Sequence, residues 1–303
     1  MRTIFLLPAL MIPSFLLAQA GTLDASFDGD GIVLTDLEST GDIGLEVALQ
    51  ADGKILTTGL GELGRIYIAR FLPDGTPDVS FHDDGLMQAL CRTNYDLNHG
   101  LHEAPLGIQA DGKILTTGRW DTNDDEEFKV LRYNTDGTPD DSFGGNGWVS
   151  TDLGPSHDRS MALLIQEDGK IVVAGDVTGN PTQDVGVVRY LPDGSLDESF
   201  GDEGMVITAV DIQSDRVFAA ALHPDGRIFV AGTAYSSNFY SRAFALCYLQ
   251  DGTLDSDFGA GGKALFQMGS QQSDQITDIV LQPDGKILLS GSEIGRASCR
   301  ERV

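Results

Sequence analysis

The sequence predicts an all-β fold: a β-propeller of four-stranded antiparallel blades, with four complete blades and most of a fifth. Three observations lead there. A short motif returns five times at a near-constant step. Each copy lies among runs of about five residues rich in β-branched and aromatic types, a strand signature. Gly, Pro and Asp bound those runs. A repeat of this length is one supersecondary unit copied and stacked on its neighbours.

The motif is Asp-Gly-Lys in loose form: Asp52-Gly53-Lys54, Asp111-Gly112-Lys113, Asp168-Gly169-Lys170, Asp225-Gly226-Arg227 and Asp284-Gly285-Lys286. The steps between the aspartates are 59, 57, 57 and 59 residues. The third unit shows the pattern. Gly147–Thr151 is short and alternating, and Met161–Gln166 is mostly apolar. Glu167-Asp168-Gly169 is a hairpin turn, because Asp and Gly tolerate positive φ. Ile171–Gly175 is continuously apolar, as a strand covered on both faces would be. Val185–Tyr190 alternates again, and Leu191-Pro192-Asp193-Gly194 closes the unit. Four antiparallel strands per repeat is the signature of a propeller blade.

A second motif links the units. It reads Leu23-Asp24-Ala25-Ser26-Phe27, Pro77-Asp78-Val79-Ser80-Phe81, Pro139-Asp140-Asp141-Ser142-Phe143, Leu196-Asp197-Glu198-Ser199-Phe200 and Leu254-Asp255-Ser256-Asp257-Phe258. The Phe is expected to plug the space between blades. The Asp and Ser are expected to bond backbone in a tight turn. Arg70, Arg132 and Arg189 recur after apolar strands, and are expected to pair with turn carboxylates between blades. Cys247 takes that place in the fourth unit, as a buried substitute rather than a nucleophile. The other credible cysteine, Cys91, lies in a non-adjacent unit, so no disulfide is expected.

Asp-Gly-Lys alternating with Leu-Asp-x-Ser-Phe-Gly at this period resembles the Delta-60 repeat family. The resemblance covers about Gly21 to Ser292. It implies a bacterial secreted or surface propeller-like protein without an established common activity.

The ends read differently. Residues 1–20 form a signal peptide: Arg2, then an apolar Ile4–Leu17, then a small-x-small site at Ala18-Gln19-Ala20. Pro8, Pro13 and the short length argue against a spanning helix, and no span is expected in the mature chain. Residues 21–292 are the repeat array. Residues 293–303 end in Gly295-Arg296-Ala297-Ser298-Cys299-Arg300-Glu301-Arg302-Val303, which reads as a translated sequencing adapter. This segment is therefore expected not to be native.

The net charge of −26 disfavours nucleic acid and anionic membranes as partners and favours cations. Asp28-Gly29-Asp30-Gly31 has the look of a calcium loop, and Asp83, Asp84, Asp202 and Glu203 hold matching places. Calcium is thus the candidate cofactor, against plain solvated turns. Asp121–Glu127 is the densest acidic stretch, read as a loop. His99, His102 and Glu103 are a weak zinc set. Tyr235, Phe239 and Tyr240 form a candidate aromatic surface for a glycan or a cell-surface protein.

Residues repeated in every unit are structural, whereas catalytic sets are asymmetric. The expected function is therefore an exported, non-enzymatic binding or surface-interaction module, secreted or held at the cell surface. The alternative is a secreted propeller hydrolase or lyase acting on polysaccharide. Its discriminating mark is a non-repeated Asp or Glu pair at the central channel.

Overall fold

The computed structural model describes residues 21–37, 41–92, 104–122, 125–179, 182–236, 241–267, 274–293 and 296–302. Strands alone build it, apart from one 3-10 turn at Glu62–Gly64. Blade 1 is β1 (Ile43–Leu49), β2 (Ile55–Leu60), β3 (Arg65–Phe71) and β4 (Leu86–Arg92). Blade 2 is β5 (Leu106–Ile108), β6 (Ile114–Thr122), β7 (Asp125–Tyr133) and β8 (Trp148–Thr151). Blade 3 is β9 (Arg159–Ile165), β10 (Ile171–Thr178), β11 (Gln183–Tyr190) and β12 (Met205–Thr208). Blade 4 is β13 (Asp215–Leu222), β14 (Ile228–Tyr235), β15 (Ser241–Tyr248) and β16 (Lys263–Phe266). Blade 5 has three strands: β17 (Asp274–Leu281), β18 (Ile287–Glu293) and β19 (Arg296–Arg302). All pairing is antiparallel and sequential, except that β4 touches β6 through the pair Arg92–Arg119 and so joins blades 1 and 2 into one sheet. Among the described residues no helix is long and apolar enough to cross a membrane.

The grouping of strands differs from the sequence reading by one position. The run Gly147–Thr151 was expected to open the third unit; instead β8 pairs with β7 and closes blade 2. The reason lies in the second motif. Tyr133 bridges Pro139, Asp140 N donates to Arg132 O at 3.0 Å, and Arg132 N donates to Gly147 O at 2.8 Å. The motif is thus a wide turn that carries the chain back along its own sheet. The Asp-Gly turns accordingly join the first and second strands of each blade, with Gly53, Gly112, Gly169, Gly226 and Gly285 all at positive φ. Asp125–Glu127 and Asp121 likewise belong to the β6–β7 ladder rather than to a loop.

The second and third strands of blades 1 to 4 are the most covered, and β10 is buried from Ile171 to Val177. Blade faces meet in four apolar clusters, one of them joining Val172, Val187 and Phe200 to Val217, Val230 and Phe244. Phe81, Phe143 and Phe200 are fully buried plugs, as expected. An added Cβ at Gly137, Gly194 or Gly252 in the next blade would meet these rings at 2.9 to 3.1 Å, so the plug requires glycine there.

One polar latch recurs at each plug. Arg70 Nε donates to Asp78 Oδ2 at 2.7 Å, Nη2 to Ser80 Oγ at 3.1 Å, and Nη1 to Thr135 O of the next blade. Its guanidinium lies 4.7 Å from the Phe81 ring centroid. Arg132 repeats this with Asp140, Ser142, Phe143 and Pro192 O, and Arg189 with Asp197, Ser199, Phe200 and Gln250 O. Lys54, Lys113 and Lys170 reach the same carboxylates at 3.1, 2.8 and 3.1 Å. Burial pushes these carboxyls up, but hydrogen bonds from the Ser and Lys, with the Arg charge, outweigh it and hold them well below the usual range. In blade 4 Cys247 replaces the Arg, and Arg227 in the Lys position reaches Asp255 at 3.2 Å. Cys247 and Cys91 are both buried free thiols, pushed up to about 12 by burial.

A second carboxylate series went unread in the sequence. Asp42, Asp158, Asp215 and Asp274 stand before or at the start of the first strands. Asp158 Oδ2 accepts from Leu153 N at 2.8 Å, and Asp215 Oδ2 from Val210 N at 2.6 Å. Burial pushes Asp158 up to about 6 and Asp215 up to about 7.

Two predictions follow from these pairs. Arg132→Ala strands the Asp140 charge with only Lys113, and should cost about 3 kcal/mol, read as a lower urea midpoint; an unchanged midpoint would remove the latch from the account of stability. The two carboxylate series set opposite pH slopes. A raised carboxyl contributes most below its unfolded value and loses that contribution as pH rises through the folded one; a lowered carboxyl does the reverse. The melting temperature should therefore peak near about pH 4 and fall as pH rises to about 7. Asp215→Asn should flatten the alkaline decline, separating it from general repulsion in this acidic chain.

Candidate functional site

The first strand of each blade faces a common space. A cavity of about 420 Å³ is lined by Leu45 and Glu46 of β1, Ala104 and Pro105 before β5, Met161 and Ala162 of β9, Phe218 and Ala219 of β13, and Thr277 and Asp278 of β17. This is the central channel, and a β-bulge builds its wall. Register slips at Gly44/Glu46, at Ala174/Gly175 opposite Met161, at Val217/Ala219 and at Ile276/Asp278. A bulge adds one residue and re-aims its neighbours. The partner strand must then approach closely: an added Cβ at Gly175 would lie 1.8 Å from Arg159 O, and one at Gly232 would lie 1.9 Å from Arg216 O.

Pairing places Glu46, Ala162, Ala219 and Asp278 at one register position, opposite Thr58, Ala174, Ala231 and Ser290. Pro105 precedes β5 at the corresponding place. Four of these blades share a wall position and two fill it with acid. Glu46 Oε2 accepts from Leu106 N of blade 2 at 2.7 Å. Enclosure pushes its carboxyl up, the Leu106 N–H opposes this, and the Asp278 charge adds to the rise. Asp278 Oδ1 accepts from Ile279 N at 2.8 Å, and Thr277 Oγ1 lies 3.1 Å from Ser290 Oγ. The arrangement is a pair of carboxylates in an otherwise apolar ring, one of them raised from its ordinary value. It is a non-repeated acidic pair at the channel, the mark that the sequence assigns to the hydrolase or lyase alternative, and it sets a variable site apart from the framework. Sequence alone hid it, because only register and bulge bring residues so far apart to one ring.

Two further cavities lie at blade junctions, about 500 Å³ between blades 1 and 2 and about 690 Å³ between blades 3 and 4. Latch residues line both, including Arg70 and Ser80 in one and Arg189 and Ser199 in the other. Their charges are already engaged with the turn carboxylates.

The sequence candidates fall as follows. Asp28, Asp30, Asp83, Asp84, Asp202 and Glu203 are exposed turn residues in three separate turns. Asp28, Asp83 and Glu203 have positive φ. Asp30 Oδ1 and Asp84 Oδ1 each accept a backbone N–H at 2.9 Å, from Ile32 and Leu86. Among the described residues no three His, Cys, Asp or Glu side chains are grouped as for a metal ion. Tyr235 ends β14, half-buried, its ring 6.0 Å from the Arg216 guanidinium. Phe239, Tyr240, His99, His102 and Glu103, and the leader at 1–20, lie outside the described residues.

Comparison with known structures agrees with the architecture. The chain is similar to a polysaccharide lyase, ulvan lyase, bound to a GlcA(1-4)Rha3S ligand, at 10% identity and a TM-score of 0.53, covering 84% of this chain and 67% of that one. It is also similar to an α-L-arabinofuranosidase of Fusarium graminearum in complex with arabinobiose (14% identity, TM-score 0.47, 84% and 79% covered). A glucose dehydrogenase matches at 14% identity and a TM-score of 0.48, with 82% and 78% covered. At 10% identity the ulvan lyase speaks for the fold alone. No curated protein matches the chain in sequence. The repeats themselves do have a counterpart: residues 50–81, 109–143, 166–200 and 223–258 each match the family described as a domain of unknown function (DUF5122) beta-propeller.

Proposed function

We propose that this chain is an exported, non-enzymatic binding module whose ligand enters the central channel and presents a cationic group there, carried on a glycan or a cell-surface protein. One observation carries the reading. The repeated polar residues are engaged in latches and turns, while the shared channel position varies and places Glu46 and Asp278 on an apolar wall. Two carboxylates in such a wall attract a protonated amine and repel anions. The net charge of −26 acts in the same direction at longer range. The leader at residues 1–20 supports export to the medium or the cell surface.

The test uses deacetylated chitosan oligosaccharides and their N-acetylated counterparts in calorimetric titration. Binding of the amine form alone is expected, weakened at least tenfold in Glu46→Gln/Asp278→Asn and by raised salt. Equal binding of both forms, or of both proteins, would exclude the channel pair.

The raised carboxyl of Glu46 beside a second acid favours one rival, a hydrolase or lyase acting on polysaccharide. Release of reducing ends or unsaturated products by the wild type, and not by Glu46→Gln, would favour turnover over binding. Calcium at the Asp28–Asp30, Asp83–Asp84 and Asp202–Glu203 turns belongs to the same proposal. It would draw on one or two carboxylates, turn carbonyls and water at each place. A calcium-dependent rise in melting temperature, reversed by chelator and lost in Asp83→Asn/Asp84→Asn, is the expected sign.

A further inference from the structure

The channel wall has two chemically different arcs. The bulges in blades 1, 3, 4 and 5 each add one residue that has no register partner on the second strand: Leu45, Met161, Phe218 and Thr277. All four line the cavity. Each directly precedes a residue of the shared wall position, so they form a second ring beside Glu46, Ala162, Ala219 and Asp278. From β9 and β13 the two rings receive only apolar side chains, Met161, Ala162, Phe218 and Ala219, and Ala104 and Pro105 of blade 2 continue that arc. The polar lining comes from β1 and β17 alone, as Glu46, Thr277 and Asp278.

Each arc sets a condition on what enters. Among the described residues no lysine, arginine or histidine lines the cavity. The polar arc is rich in acceptors: Glu46 Oε2 takes one N–H from Leu106 and Asp278 Oδ1 one from Ile279, and a carboxylate has room for about four such bonds. An ammonium brings three donors, no acceptor and the opposite charge. The apolar arc sets the converse condition. A hydroxyl held against Met161, Phe218 or Ala219 meets no polar partner, and a polar group left unpaired away from water is costly. A methylene chain there loses nothing and gains by leaving water. A sugar amine, flanked by hydroxyls, satisfies the first arc and not the second.

We infer that the channel takes a primary ammonium at the end of an unbranched alkyl chain, the group that ends a lysine side chain, with the ammonium on the Glu46–Asp278 arc and the methylenes against Met161, Phe218 and Ala219. The inference rests on the binding reading above and selects the alkyl amine over the glycan-borne one. At about 420 Å³ the cavity has the size of a pocket for a small group. The same chemistry is offered by a lysine of a polypeptide and by a free polyamine, and the titration separates these two sources.

The probes are n-propylamine, n-pentylamine, n-pentanol and glucosamine, with Nα-acetyl-lysine methylamide and cadaverine for the two sources, titrated calorimetrically into the whole protein at neutral pH. Pentylamine is expected to bind about tenfold more tightly than propylamine, for two further buried methylenes, and more tightly than glucosamine. Phe218→Ser, its fold checked by circular dichroism, should bring the pentyl-to-propyl ratio below about threefold and keep the preference for pentylamine over pentanol. If that variant fails to fold, the chain-length series in the wild type decides. No binding by any amine, or equal binding of pentanol, removes the channel reading and this inference with it. Amine binding independent of chain length, or glucosamine bound as tightly as pentylamine, leaves that reading in place and overturns this inference alone. Tighter binding of the lysine derivative than of cadaverine supports a polypeptide as the source, and the reverse order supports a free polyamine.

Discussion

The buried arginine–aspartate pair at the first three blade junctions is the interaction on which the rest depends. Arg70, Arg132 and Arg189 are only 3%, 5% and 4% exposed, so each guanidinium has lost nearly all of its water. Such a charge is tolerable only when its donors are met by several partners at good geometry. Carboxylate, serine, phenyl ring and the next blade's carbonyl meet that demand together. One side chain thereby fixes the motif turn, seats the phenylalanine plug and sets the distance to the following blade. In the fourth unit the charge count at Asp255 is kept by Arg227, but Cys247 reaches no neighbouring carbonyl. Packing takes over at that junction, with Phe229 edge-on to Phe258 at 5.5 Å and Ile276 and Ile279 of blade 5 in the same cluster.

This arrangement divides the labour within each repeat. Polar side chains that recur are held in the framework, and their engagement leaves little for a ligand. The bulged first strand is different. Its backbone is fixed by the close approach of a glycine on the second strand, so its wall side chains can vary without disturbing the ladder. Glu46 and Asp278 use that freedom where Ala162 and Ala219 do not. Variation on a rigid support is where binding selectivity is expected to lie.

Much of this framework was legible in the sequence, because its causes are local. The hairpin at each Asp-Gly, an apolar strand after it, the phenylalanine plug and a turn carboxylate for each arginine follow from motif spacing and residue type, but the carboxylate that Arg132 meets, Asp140, lies in its own blade, and the contact to the next blade is the Pro192 carbonyl. The sheet phase was not legible. Nothing in Pro139–Gly147 says whether the chain crosses to a new sheet or turns back along the old one; the Arg132–Gly147 and Tyr133–Pro139 contacts decide it. Asp158 and Asp215 were missed although they share the period, since a buried acid capping a loop leaves no hydrophobic pattern. The Glu46–Asp278 pair depends on register across the whole array, which no local window contains.

The two outermost parts of the array show how far backbone pairing and side-chain register can separate. β19 makes a full antiparallel ladder with β18. Yet its register sets Arg300, Glu301 and Arg302 at the positions of Val188, Arg189 and Tyr190. In blade 3 those positions are buried apolar, buried latch and buried aromatic. Leu23–Thr35 carries the turn, serine and phenylalanine of the second motif and pairs with no strand among the described residues. Main-chain pairing therefore does not define a blade of this repeat. What fixes the junctions that follow blades 1 to 3 is an arginine delivered to a carboxylate, and where Cys247 stands instead, apolar packing takes that part.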